Sequence, residues 1–304
     1  MSKIVRKLQS LRREFIVEAL VRAAGFSAIF FVVLIFLFLL REGAPAFWTV
    51  PLSNLFGQRW YPTEELFGTL PLILGSLLVT AGAVILALPL GLATAIFVRE
   101  LAPDWLREIL KPLIEVLAGI PSVVLGFLGM VAIAPLVRTY LDVPTGLTAF
   151  TGSLMLAYMA LPTIISVAED AIDAVPKEYR DGALAMGATH WQTIWRVVLP
   201  AARTGVIMAV MLGIGRAIGE TMAVMMVTGN AARIPHELTA LFKPARTMTA
   251  TIAAEMGEVA KGSTHYHVLF ALGILLFVVT FIINAVASYV AIKGGPRRGG
   301  RLMG

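Results

Sequence analysis

Long uncharged runs alternate with short charged connectors along this chain. Ala23–Leu40, Leu66–Val98, Val116–Val137, Val143–Ala168 and His267–Ile292 contain no Asp, Glu, Lys or Arg. Each meets the roughly 20 residues that a helix needs to cross a hydrocarbon layer. A sixth run, Thr204–Ala232, is interrupted only by Arg216 and Glu220. The runs are apolar all round, with no polar stripe for water, so they do not read as helices of a soluble bundle. The pattern predicts an all-α, polytopic membrane protein with six spans.

Composition agrees. Of the 304 residues, 58% are hydrophobic and 14% charged, against about 45–50% and 25% in soluble domains. The net charge of +6 comes from basic residues at the chain ends and between runs, a topological bias rather than a nucleic-acid face. With both termini inside the cell, the inner segments carry seventeen Lys and Arg and the outer ones seven. The first run is preceded by Lys3, Arg6, Lys7, Arg12, Arg13 and Arg22. It exceeds the about 7–15 apolar residues of a signal peptide, so it reads as an uncleaved first span. The expected division is a basic cytoplasmic segment at 1–22, a six-helix domain at 23–292 and a basic tail at 293–304 against anionic lipid. The chain has no cysteine, no HExxH pattern and no glycine followed by lysine. Thiol chemistry and a Walker A loop are therefore excluded, and the chain reads as a transport component rather than an enzyme.

Between spans four and five lies a patterned cytoplasmic loop, 176–200. Pro176 suits a helix start, Gly187 a helix stop, and Thr189 with Gln192 the spacing of a capping box. A second helix would place Trp191, Ile194, Trp195 and Val198 on one side, in the membrane interface, and end at Leu199-Pro200. In span five, Arg216 and Glu220 are four apart and share a helix face. Each charge costs about 2.5–3.5 kcal/mol or more near mid-bilayer, so both must face protein or water. Two readings stand: a mutually satisfying pair that orders the bundle, or an anion site. In the second, the guanidinium binds phosphate oxygens and Glu220 tempers that grip or accepts a phosphate proton. Gly215 and Gly219 form a small-xxx-small ridge that admits a neighbouring helix.

The loop resembles the EAA loop of ABC importer permeases: Glu-Ala-Ala, three residues, Gly, nine residues, Ile or Val, one residue, Leu-Pro. Here Asp181-Gly182-Ala183, Gly187, Val197 and Leu199-Pro200 keep every gap, with Asp for Glu and Gly for Ala. The resemblance implies that Asp181, Gly182, Ala183, Gly187, Leu199 and Pro200 belong to a coupling helix that docks on an ATPase. The string Gly215-Arg216-Ala217-Ile218-Gly219-Glu220-Thr221-Met222-Ala223-Val224 resembles the fifth-span signature of phosphate ABC transporter permeases of the PstC type. Two further stretches agree: Gly119 to Gly126, where Pro121 should break span three, and Thr247 to Glu258 before span six.

Family resemblance thus implies a type I importer permease with a MetI-like fold in a bacterial inner membrane. It implies a substrate path at Arg216, Glu220 and Ser122. The expected partners are a homologous second permease, two ATPase subunits that bind ATP and Mg, an extracytoplasmic phosphate-binding protein and membrane lipid. No cofactor or nucleic acid is expected on this chain. Sulfate or molybdate is the rival substrate, and a self-contained ion-coupled transporter or channel the rival class.

Overall fold

A computed structural model of the chain describes residues 2–294, so the tail beyond Gly294 lies outside the described residues. Six helices among them are long and apolar enough to cross a membrane: Val17–Thr49, Leu70–Leu101, Ser122–Tyr140, Ala149–Asp173, His190–Gly219 and Thr264–Val286. Each overlaps one of the six uncharged runs, but the ends are displaced, most of all in span five, which runs from His190 to Gly219 where Thr204–Ala232 was expected.

Helix α1 (Ser2–Gly43) is continuous, so residues 2–22 of the basic segment are helical and run without interruption into the first span. From Val17 onward it is largely exposed, as a helix solvated by lipid tails should be. Its packed side meets the last helix, α14, where Phe36 stacks on Phe277. Two short helices follow, α2 (Ala46–Thr49) and α3 (Leu52–Leu55), then a hairpin of β1 (Trp60–Tyr61) and β2 (Leu66–Phe67) with Trp60 opposite Phe67. Span two was expected to begin at Leu66. Instead the hairpin takes Leu66 and Phe67, because Gly68 N–H bonds Arg59 O and the Thr69 hydroxyl bonds Leu55 O.

The second span is α4 (Leu70–Ile96) with a wider π turn at Phe97–Leu101. An amphipathic helix follows, α5 (Asp104–Ala118). Span three is built from α6 (Ser122–Leu128), a π turn at Gly129–Ile133 and α7 (Ala134–Tyr140). Residues 116–118, expected inside that span, belong to α5, because Pro121 breaks the chain as expected. The fourth span, α8 (Ala149–Asp173), is the most enclosed of the six and packs between α4 and α11. After it come α9 (Lys177–Ala185), α10 (His190–Thr193), a π turn at Ile194–Val198, α11 (Leu199–Gly219) and α12 (Met222–Val227). Finally, α13 (Met248–Glu255) and α14 (Thr264–Gly294) close the bundle.

Leu199-Pro200 does not end a helix, contrary to expectation. Pro200 sits in the first turn of α11, directly after the π turn, and α10 runs into α11 as one span. The π turn directly before it, where the Leu199 N–H bonds Ile194 O, lets the span continue past a residue that lacks an N–H.

Opposite ends of the bundle are tied by different chemistry. At the hairpin end, Trp60 Nε1 and Arg246 Nη2 donate to Glu255 Oε1 at 3.1 and 2.6 Å, and His265 Nε2 lies 2.8 Å from Glu255 Oε2. At the α9 end, Arg180 donates to Glu100 Oε1 at 2.7 Å, to Val175 O at 2.6 Å and to Ile172 O at 2.9 Å. Both charged side chains are largely buried. One guanidinium thus fastens α9 to the ends of α4 and α8. Beside it Arg99 pairs with Asp173, and Lys111 Nζ reaches Glu169 Oε2 at 2.9 Å. The bond to Glu169 holds the Lys111 ammonium above its ordinary pKa.

Arg180→Met leaves Glu100 buried without its counter-ion, which should cost about 3 kcal/mol. The expected result is a lower Tm of the purified protein in detergent, with partial recovery when Glu100→Gln is added. An unchanged Tm in the single variant would remove Arg180 as the fastening.

Candidate functional site

Two breaks in the helical path lie in this bundle, one between α5 and span three and one after α11, and hydrogen bonds take up several of their backbone groups. The first separates α5 from α6. There Gly119 N–H bonds Val116 O, Ile120 N–H bonds Leu117 O, and Val124 and Leu125 N–H turn back to Pro121 O. The second separates α11 from α12 at Glu220, whose backbone is extended (φ −68°, ψ 131°). Its carbonyl accepts the Thr249 hydroxyl at 2.9 Å, and its own carboxylate accepts the N–H of Ala223 at 3.2 Å. Pieces beyond the breaks pack tightly: a Cβ on Gly126 would lie 2.8 Å from Ala223 Cα.

This second break changes the reading of Arg216 and Glu220. Sequence spacing placed them on one helix face as neighbours. Helix α11 ends at Gly219, so the i,i+4 relation does not hold, and no ion pair joins them among the described residues. Glu220 Oε1 caps the start of α12. Arg216 reaches the other way, donating to Thr163 Oγ1 of α8 at 3.1 Å and, at 3.5 Å, to the Ala118 carbonyl that ends α5. Thr163 lies near the middle of α8, so the guanidinium sits deep in the span. The approach of α11 to α8 depends on Gly213, where a Cβ would stand 2.5 Å from Ile164 Cγ1.

A guanidinium has five N–H donors. Two are engaged, and the side chain remains exposed on the surface of the chain. Gly215 and Gly219 have open space where a Cβ would be, so the expected ridge does not carry packing within this chain. It leaves the face around Arg216 free. Ser122 opens α6 directly after the Pro121 break and is half-buried. Arg216 is thus brought to the α5 end of the first break and Glu220 forms the second. Thr163 was not singled out from the sequence; a threonine in an apolar run carries no periodic or motif signal.

The loop after α8 has most of the expected local chemistry. Pro176 precedes α9, and Gly187 adopts φ +86°, with its N–H on Leu184 O and Ala188 N–H on Ala183 O. This paired closure is the Schellman stop that glycine favours. Thr189 and Gln192 form the reciprocal capping box. Ala183 is only 5% exposed and packs inside this chain. One expectation fails. Trp191 and Trp195 are exposed and in edge contact, while Ile194 and Val198 are buried, so the four divide between two sides. Asp181, Gly182, Leu184, Met186 and Gly187 are among the exposed residues of the loop, with open space at both glycines. Leu199 is half-buried and Pro200 exposed at the start of α11.

The family of binding-protein-dependent transport system inner membrane components matches residues 87–293. The chain is 40% identical over 270 residues to the phosphate transport system permease protein PstC of Mesorhizobium japonicum, covering 83% of this chain and 81% of that protein. It is also 40% identical over 243 residues to the probable ABC transporter permease protein YqgH of Bacillus subtilis, covering 79% and 78%. An inward-facing structure of the MetNI methionine ABC transporter superposes with a TM-score of 0.60 at 18% identity, over 78% of this chain and 100% of that one. A bacterial ABC transporter involved in the import of alginate gives 0.57 at 16%, over 95% and 99%. These likenesses establish the expected MetI-like importer-permease fold.

Proposed function

We propose a specific task for this chain, which belongs to the family of binding-protein-dependent transport system inner membrane components: it forms, with a homologous permease, the membrane path of an ATP-driven importer of inorganic phosphate. Membership makes it the transport component of an ABC importer, embedded in a membrane by six apolar helices. The names of its relatives support phosphate as cargo. The observation that carries the reading is Arg216: a guanidinium deep in a span, exposed, beside two helix breaks, with donors unspent. Broken helices at membrane depth persist only against protein or a wet cavity. Guanidinium donors suit a tetrahedral oxyanion, held bidentately. On this reading Glu220 holds the break open while its second carboxylate oxygen faces the path, and Ser122 lies at the other break.

The partners that complete this reading are a second permease against the Arg216 face, two ATPases that bind ATP and Mg, and an extracytoplasmic phosphate-binding protein. The α9 loop would be the ATPase contact, through Asp181, Gly182 and Gly187, with Ala183 and Leu199 shaping it from within and Pro200 exposed where it enters α11. Orientation follows from the basic residues: both termini in the cytoplasm of a bacterial cell, the hairpin end outside.

In proteoliposomes holding the assembled complex, Arg216→Gln with Glu220→Gln should assemble yet lose phosphate uptake by at least roughly tenfold, the loss of one charge-assisted contact. Arg216→Lys should also be impaired, because an ammonium lacks the planar fork. Uptake near the wild-type rate in the double variant would withdraw both residues from the path.

Gly182→Trp should uncouple. Its Cβ meets open space and its φ is helical, so the variant blocks the docking surface without the strain that any side chain meets at Gly187. ATPase activity should no longer respond to loaded binding protein; normal coupling would sink the docking assignment.

Ser263→Cys should react with an impermeant maleimide in intact cells, and Ser2→Cys should not. Native cysteines are lacking, so no background competes. The opposite labelling pattern would reverse the orientation.

A further inference from the structure

We propose that the Thr163 hydroxyl is a second donor to the transported oxyanion, acting beside Arg216. The proposal rests on the reading of Arg216 as a path residue and deepens it.

A helical threonine usually spends its hydroxyl proton on the carbonyl one turn back. Thr94, Thr139, Thr193 and Thr228 do so here, on Leu90, Pro135, Thr189 and Val224 at 2.8–3.1 Å. Thr163 does not. Its Oγ1 accepts from Arg216 Nη1 at 3.1 Å, and among the described residues its proton has no acceptor. The side chain is half-buried between Pro162 and Ile164, both buried, so the hydroxyl opens onto the same surface as the guanidinium. A hydroxyl that accepts from a cation is polarised and becomes a better donor.

Guanidinium and hydroxyl together present adjacent donors at one depth. The guanidinium offers no acceptor to a passing cation, and one lone pair of the hydroxyl oxygen is already taken by Arg216. The ligand class this fits is an acceptor-rich tetrahedral anion, inorganic phosphate in the present reading. Thr163 also turns the guanidinium toward α8, so the two functions share one bond.

The test uses the full complex in proteoliposomes, with the phosphate-loaded binding protein in excess and labelled inorganic phosphate as cargo. Thr163→Val keeps the shape and removes the hydroxyl. Its phosphate uptake per assembled complex should fall roughly tenfold, the scale of one hydrogen bond to a charged group. Co-purification of the complex should stay near wild type. Thr163→Ser should restore uptake to within about twofold, since it returns the donor without the methyl. If Thr163→Val does not assemble, Thr163→Ala against Thr163→Ser makes the same comparison, and a hydroxyl-dependent gap between them supports the proposal.

Uptake near wild type in Thr163→Val, or in Thr163→Ala where that stands in, together with a dead Arg216→Gln, would overturn the role of Thr163 and leave Arg216 in place. Near-normal uptake in both would overturn the path reading itself. A Thr163→Ser defect as deep as that of Thr163→Val would assign the site to packing and also overturn the proposal.

Discussion

A hydrocarbon layer offers no partner to a free N–H or C=O, and this constraint organises the bundle. It forces the apolar runs into helices and confines irregular backbone to places where the protein supplies the missing bonds. Both breaks obey it. At Glu220 the freed carbonyl takes the Thr249 hydroxyl, and the start of α12 takes the Glu220 carboxylate. At the end of α5, Arg216 approaches the Ala118 carbonyl. The functional reading grows out of the same accounting, since the groups that repair the backbone are also the polar groups of the mid-span face.

Much of this was legible in the sequence because it depends on local chemistry. Spans follow from length and apolarity, the Pro121 break from a missing N–H, and the turn at Gly187 from a left-handed backbone that glycine tolerates. The capping box at Thr189 and Gln192 is a reciprocal pair fixed by spacing alone. Matters that depend on tertiary packing were not legible. Ala183 turned inward, and Ile194 and Val198 parted from Trp191 and Trp195, because the neighbouring spans decide which side of a helix is covered. The break at Glu220 lacks a proline; it is stabilised by Thr249, twenty-nine residues away. Gly219 and Thr221 were the local hints, a weak helix former and, two residues on, the threonine at the N-cap of α12.

Helix α8 joins the two ends of the functional argument. In its last turn it offers the Ile172 carbonyl to Arg180 of α9, joined by that of Val175 just beyond its end, and at mid-length it offers Thr163 to Arg216 of α11. A displacement of α9 therefore acts on the helix that sets the position of the mid-span guanidinium. Arg180 is suited to that transmission because it grips α4 at Glu100 and α8 together, so the loop cannot tilt without moving both spans or breaking charged bonds.

An isolated copy of this chain in a bilayer faces a difficulty that its own residues do not resolve. Arg216 is exposed at a depth where lipid would surround it, at a cost of about 2.5–3.5 kcal/mol on insertion scales and more by simulation. Thr163 and Ala118 satisfy two of its donors, and Glu220, the nearest acid in sequence, is turned away to α12. Open space at Gly215 and Gly219 leaves that face smooth enough for another helix to come close. A second membrane subunit covering the face would remove the lipid, leave a polar cleft between the chains and turn a liability of the single chain into the anion path of a pair. An exposed guanidinium at that depth is what the proposed pairing with a second permease would cover.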